Sequence, residues 1–214
     1  MKIAMTGSSG AGKTTLCNYI KDTWGLKHIS GSAGDLKTPE DREALERLYG
    51  STLDGHFGVI QKSALNLNFG VFFQQCVQHR REEVIDKNDN FITDRSPLDN
   101  LTYFINQVGF HKEVRDYVVD QFADNCLRAW QKLTHVIYVK ACQPGFKVEN
   151  NESRIANGWY QRSIDAQFEY WLFNFFLKNQ TKVDMPKVMI INEWDLNFRK
   201  NQIYEFLGSP TNKG

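Results

Sequence analysis

Eight residues near the amino terminus restrict this chain more than any other stretch: Gly7-Ser8-Ser9-Gly10-Ala11-Gly12-Lys13-Thr14. The apolar run Ile3-Ala4-Met5 precedes them, and Thr15-Leu16-Cys17-Asn18-Tyr19-Ile20 follows. The order predicts strand, glycine-rich turn and helix, with two glycines, a lysine and a hydroxyl residue at phosphate-loop spacing. Glycines let the backbone wrap so tightly that successive N–H groups face one anion. The helix opening near Lys13 adds the positive end of its dipole. The expectation is a nucleoside triphosphate held by Gly7, Ser8, Ser9, Gly10, Ala11, Gly12, Lys13, Thr14 and Thr15. Lys13 would reach the β- and γ-phosphates, and the Thr14 hydroxyl would ligate magnesium. The motif specifies a donor and leaves the acceptor of the phosphoryl group open.

The 214 residues predict a single domain over 1–207, with a frayed tail at 208–214. A formal net charge of +1 gives no overall attraction to nucleic acid or membrane, although a local basic patch is compatible with it. Cys17, Cys76, Cys126 and Cys142 are widely spread, without metal-ligand spacing, and read as reduced thiols of an intracellular protein. No signal-peptide pattern precedes the first strand, and no run approaches the roughly 18 apolar residues of a membrane span. A cytoplasmic protein without membrane contact is expected.

Beyond the loop, Leu16, Ile20 and Trp24 recur at helical spacing, and Gly25 ends the helix. A short strand over 26–30 leads into a turn, 31–35, that carries Asp35. Pro39 opens a solvated helix, 50–58 reads as a loop, and 59–86 reads as mostly helical. Strands are expected at 91–94, 135–139 and 187–192, and helices from Pro97, over 111–132, over 159–178 and over 196–207. Short apolar strands alternating with helices predict an α/β fold: a parallel sheet covered by helices on both faces. Ligands in such sheets lie at the carboxyl ends of the strands. The phosphate loop, Asp35 and Asp94 all follow strands. The aromatic stripe Phe168, Trp171, Leu172, Phe175 and Phe176 reads as core.

Phosphoryl transfer needs positive charge, a metal ion, and a group that orients or deprotonates the acceptor. Asp94, at the end of an apolar strand, could meet the magnesium shell or the acceptor hydroxyl, and Arg95 could pair with a phosphate oxygen. The plainer alternative makes Asp94 the cap of the helix opened by Pro97 and Arg95 a surface ion pair.

The phosphate loop, the stretch Phe91 to Asp99 (FITDRSPLD) and a later polar loop with Arg154 together resemble the nucleoside and nucleotide kinase superfamily. Asp94-Arg95-Ser96 is similar to the DR or ERS element of thymidylate and deoxynucleoside kinases. The helix with Phe73-Gln74-Gln75 and Arg80-Arg81 resembles the substrate-side helix of deoxynucleoside kinases, where glutamine reads a base edge. The resemblance implies a P-loop kinase fold with a five-stranded parallel sheet and a mobile lid at about 142–162. It also implies transfer of the ATP γ-phosphate with magnesium. Phe72 or Phe73 and Gln74 or Gln75 would shape the base pocket, with Arg80 nearby. Arg154 or Arg162 would serve as a cationic finger. Nucleotide kinases carry an acid where Asp94 stands, whereas deoxynucleoside kinases take their general base from an acid after the second strand, where Asp35 stands. The base is therefore open between the two.

The acceptor expected is a deoxynucleoside, a nucleotide or a hydroxymethyl pyrimidine. A phage DNA-modifying kinase is the alternative, with the base flipped out of DNA into the pocket. Its backbone contacts would draw on Lys140, Lys147, Arg162, Lys178, Lys182 and Lys187, among which acidic residues are interspersed. A non-catalytic nucleotide-binding module is a further alternative, and a homodimer is left open.

Overall fold

The computed structural model describes residues 1–33, 38–50, 55–109, 111–141, 158–179 and 185–210. Asp35, Cys142 and Arg154, and most of the expected lid, lie outside the described residues. The elements in chain order are β1 (Lys2–Thr6), α1 (Lys13–Trp24), β2 (Lys27–Ile29), α2 (Pro39–Tyr49), α3 (Gly55–Leu65) and α4 (Leu67–Lys87). They continue with β3 (Phe91–Thr93), α5 (Pro97–Val108), α6 (Asp116–Gln131), β4 (His135–Val139), α7 (Gly158–Trp171), β5 (Lys187–Ile191) and α8 (Leu196–Leu207).

The five strands form one parallel sheet in the order β2-β3-β1-β4-β5. Successive side chains of a strand point to opposite faces. Ile3 and Met5 of β1, with Ile137 and Val139 of β4, therefore pack under α1 and α8. Ala4, Val136 and Tyr138 face the other way, against α5, α6 and α7. The central strands β1 and β4 are buried along nearly their whole length because helices cover both faces of the sheet there, whereas the edge strand β2 (Lys27–Ile29) is partly exposed. The aromatic stripe is core as expected: Phe168, Leu172 and Phe176 are buried in the larger cluster, beside Trp130.

Four element boundaries differ from the sequence expectation. The chain is already helical from Gly55, where a loop was expected. The long helix expected over 59–86 is two helices, α3 and α4, because Asn66 adopts an extended conformation and caps α4 by accepting from the Phe69 N–H. The last expected α-helical turn beyond Trp171 is a π-helical segment, Leu172–Phe176, whose Leu177 N–H reaches back to the Leu172 carbonyl. Helix α6 also begins at Asp116, several residues later than the apolar periodicity suggested.

Candidate active site

The carboxyl ends of β1, β2 and β3 converge on the phosphate loop. Gly7, at φ +131°, passes so close to β4 that a Cβ would lie 2.3 Å from the Val139 carbonyl oxygen. No other residue fits there without moving the strand. The Lys13 ammonium is 6% exposed and donates to the carbonyls of Gly7 (2.8 Å) and Ser8 (2.7 Å). Burial pushes its pKa down to about 7, helped by the charge of Arg95 and opposed by Asp99 and Asp94. An anion in the loop would restore the full charge, so this lysine is poised to meet phosphate.

Asp94 spans the gap between the two sides of the site. Its Oδ1 accepts from the Gly31 N–H at the end of β2 (2.8 Å), and its Oδ2 accepts from the Thr14 hydroxyl (3.4 Å). Asp94 does not cap the next helix. That position belongs to Ser96, whose hydroxyl accepts from the Leu98 N–H and which forms a capping box with Asp99. The cap stabilises the helix start by about 1 kcal/mol and leaves the Asp94 carboxylate available to the site.

Asp99 itself is 1% exposed and joins three elements. Its Oδ2 accepts from the Thr6 hydroxyl (2.7 Å), the Ser96 N–H (2.8 Å) and the Ser96 hydroxyl (3.1 Å). Its Oδ1 takes the Arg95 guanidinium at 2.9 Å. The same Arg95 nitrogen also reaches the Tyr103 hydroxyl (3.3 Å) and the Gly7 carbonyl (3.5 Å). Burial opposes the charge of Arg95, but Tyr103 and Asp99 outweigh it and hold the pKa above the ordinary arginine value. Arg95 is a permanent cation at the mouth of the phosphate loop.

The acceptor-side helix α4 sorts the sequence candidates by face. Phe73 and Gln74 point inward, and Gln74 is 4% exposed. Gln74 Nε2 donates to Gln107 Oε1 of α5 at 2.7 Å, and one turn on, Gln78 accepts from the Asn100 amide at 2.7 Å. Phe72 and Gln75 instead line an outer groove of about 430 Å³, with Tyr49, Leu67, Val71 and Tyr117. Arg80 also faces outward and is tied to Asp41 of α2 (2.8 Å) and to Glu83 (2.8 Å). Arg81 points under the site. It is 4% exposed and donates through Nη2 to the Gly31 carbonyl at 3.0 Å, while its Nε and Nη1 have no partner. Burial pulls its pKa down to about 10, against the pull of Asp99. Arg162 is exposed, its guanidinium 5.2 Å from the Trp159 ring centroid at the start of α7.

Sequence reasoning missed Asp99, Tyr103 and Thr6. The spacing Ser96-x-x-Asp99 is a capping-box signature and carried the signal for Asp99. Nothing local marks the other two.

Two oxygen donors, the Thr14 hydroxyl and the Asp94 carboxylate, suit a hard cation such as magnesium. Among the described residues no three His, Cys, Asp or Glu side chains gather to hold a metal.

The family model for deoxynucleoside kinases matches residues 3–208, and the chain belongs to that family. It is therefore a nucleoside- or nucleotide-type kinase, a phosphotransferase with a nucleotide donor. Solved structures share the fold at low identity. A deoxyadenosine kinase from M. mycoides with bound dCTP is 19% identical at a TM-score of 0.56, covering 97% of this chain and 98% of its own. A thymidylate kinase from Candida albicans is 15% identical at a TM-score of 0.59, covering 96% and 89%. The YorR protein of Bacillus subtilis, in complex with phosphorylated GDP, is 15% identical at a TM-score of 0.53, covering 96% and 94%. No curated protein matches the sequence. Among the described residues, no helix is long and apolar enough to cross a membrane.

Proposed function

We propose that the protein transfers the γ-phosphate of ATP to the 5′-hydroxyl of a free deoxynucleoside. The observation that carries this reading is Arg81. A buried guanidinium with two unpartnered nitrogens, Nε and Nη1, lies under the Gly31 carbonyl, beside the Asp94 carboxylate that also meets Thr14 of the phosphate loop. Unpaired buried donors are costly, and a ligand oxygen in the acceptor cleft would satisfy them. Gln74 and Phe73 supply the inward face of the same helix.

In the mechanism, the phosphate-loop N–H groups and Lys13 cradle the donor phosphates. Thr14 and Asp94 would hold magnesium, which supplies charge neutralisation on the phosphate oxygens. Arg95, fixed by Asp99 and Tyr103, stabilises the charge developing on the transferring group. With Asp94 given to the metal beside Thr14, the general base in this reading is Asp35, four residues beyond Gly31. Arg154 is the candidate cationic finger.

The direct test is a screen of free deoxynucleosides, their monophosphates and hydroxymethyl-pyrimidine DNA with γ-labelled ATP. Label in a deoxynucleoside 5′-monophosphate supports the reading. Label confined to diphosphates or to DNA replaces the acceptor. No labelled product, with ATP bound, leaves a nucleotide-binding module.

A further inference from the structure

The carboxy-terminal helix α8 approaches the phosphate loop from behind. Arg199, in its first turns, is 3% exposed. Its Nη1 donates to the Ala11 carbonyl at 2.8 Å, and its Nε donates to the Glu193 carbonyl. The guanidinium lies 4.7 Å from the Trp194 ring centroid. The helix start is itself fixed, because the Asp195 carboxylate caps it by accepting from the Phe198 N–H at 2.8 Å.

Among the described residues Arg199 has no carboxylate within ion-pair distance, and its Nη2 is buried without a partner. Burial lowers its pKa, the mark of a charge held where water is scarce. An apolar residue would dock α8 onto the core around Ile203 without that penalty. The two backbone carbonyls are what the arginine gains.

The consequence follows from peptide geometry. Ala11 C=O and Gly12 N–H belong to one planar trans unit and point in opposite directions. Whatever fixes the carbonyl fixes the N–H. Gly12, at φ +86°, sits so close behind Lys13 that a Cβ would lie 3.2 Å from Arg199 Nη1. With the Ala11 carbonyl held by Arg199, the Gly12 N–H is fixed in the opposite direction, away from α8.

We propose that Arg199 is a positioning residue for the donor nucleotide: it sets the direction of the Gly12 N–H and ties the Glu193-Trp194 loop to the phosphate loop. The proposal rests on the donor-loop reading above. Its failure is separable from that of the acceptor, because its test reads anion binding.

Binding of MgATP and of inorganic tripolyphosphate is measured by calorimetry on the full chain, with acceptor KM and thermal unfolding alongside. Arg199→Lys keeps the charge and loses the planar fork. It should weaken both anions by about tenfold, the scale of one hydrogen bond to a charged group. Acceptor KM and melting temperature should stay near wild type. Arg199→Met should weaken both anions at least as much; if that variant does not fold, the lysine variant decides alone. Wild-type affinity for both anions in Arg199→Lys overturns the proposal. So does a parallel loss of ATP affinity, acceptor affinity and melting temperature. Wild-type protein that binds neither anion removes the donor-loop reading and this proposal together. Wild-type protein that binds both but labels no deoxynucleoside removes the acceptor reading only.

Discussion

The donor and acceptor sides of the site are built in opposite ways. The donor side is almost contiguous: β1, the loop and α1 occupy residues 2–24, and Lys13 is held by carbonyls only five and six residues away. The acceptor side is assembled from distant segments. Asp94 meets Gly31 across 63 residues, Arg81 meets Gly31 across 50, and Gln74 meets Gln107 across 33. A local site can be specified by spacing alone. A non-local site depends on side chains finding partners only after the sheet and helices have packed.

The contrast can be broken experimentally. Gly7→Ala should do the most damage, because the added carbon collides with the backbone of β4 rather than with a mobile side chain. Loss of soluble folded protein, or of all ATP binding, is expected in expression and calorimetry trials. A well-folded, ATP-binding variant would show that the donor side is less tightly set than its geometry implies.

Asp35→Asn comes next, with turnover falling about 10²–10⁴-fold, the usual contribution of a positioned general base. ATP affinity should be kept, since the proposed role of Asp35 is toward the acceptor alone. Lys13→Met should lower kcat by roughly 10²–10³-fold, the scale of losing one preorganised charge at the transferring group. Steady-state kinetics at saturating ATP checks both. Should Asp94→Asn behave as the base mutant and Asp35→Asn turn over normally, the assignment of the two acids is reversed.

Gln74→Leu should affect stability as well as the acceptor. It leaves the Gln107 amide buried without its partner, a cost of about 1–3 kcal/mol in chemical denaturation. The Gln74→Leu/Gln107→Leu double variant should recover part of that loss. Its acceptor KM then isolates what Gln74 contributes to binding. The smallest effect is expected from Arg80→Ala, whose partly exposed ion pairs with Asp41 and Glu83 contribute at most about 1 kcal/mol.

The same division explains what could be read in the sequence. The parallel sheet followed from short apolar strands alternating with helices, its five strands from the resemblance to nucleoside and nucleotide kinases, and both are present. The phosphate loop followed from spacing. On α4 the sequence could nominate Phe72, Phe73, Gln74, Gln75 and Arg80 but could not orient them. The helix meets α5 on one side and α2 on another, so polar residues are buried on one face and paired with α2 on the other. A mean periodicity is blurred by two packed faces. The break at Asn66 was missed for a related reason. The apolar pattern continues across it, and only the capping contact to Phe69 separates the helices.

The Asp99 carboxylate bears on how such a protein could be rebuilt. Its oxygens collect Thr6 from the strand that feeds the phosphate loop and Arg95 from the turn just past the strand beside it. The donor motif, though contiguous, is therefore no free-standing cassette. Residues 1–24 transplanted into another parallel sheet would bring the loop and its lysine but leave Thr6 without the acceptor that fixes it. A chimera that keeps phosphate binding needs the Ser96-to-Asp99 turn moved with the loop, as a matched pair of inserts from opposite ends of the crossover.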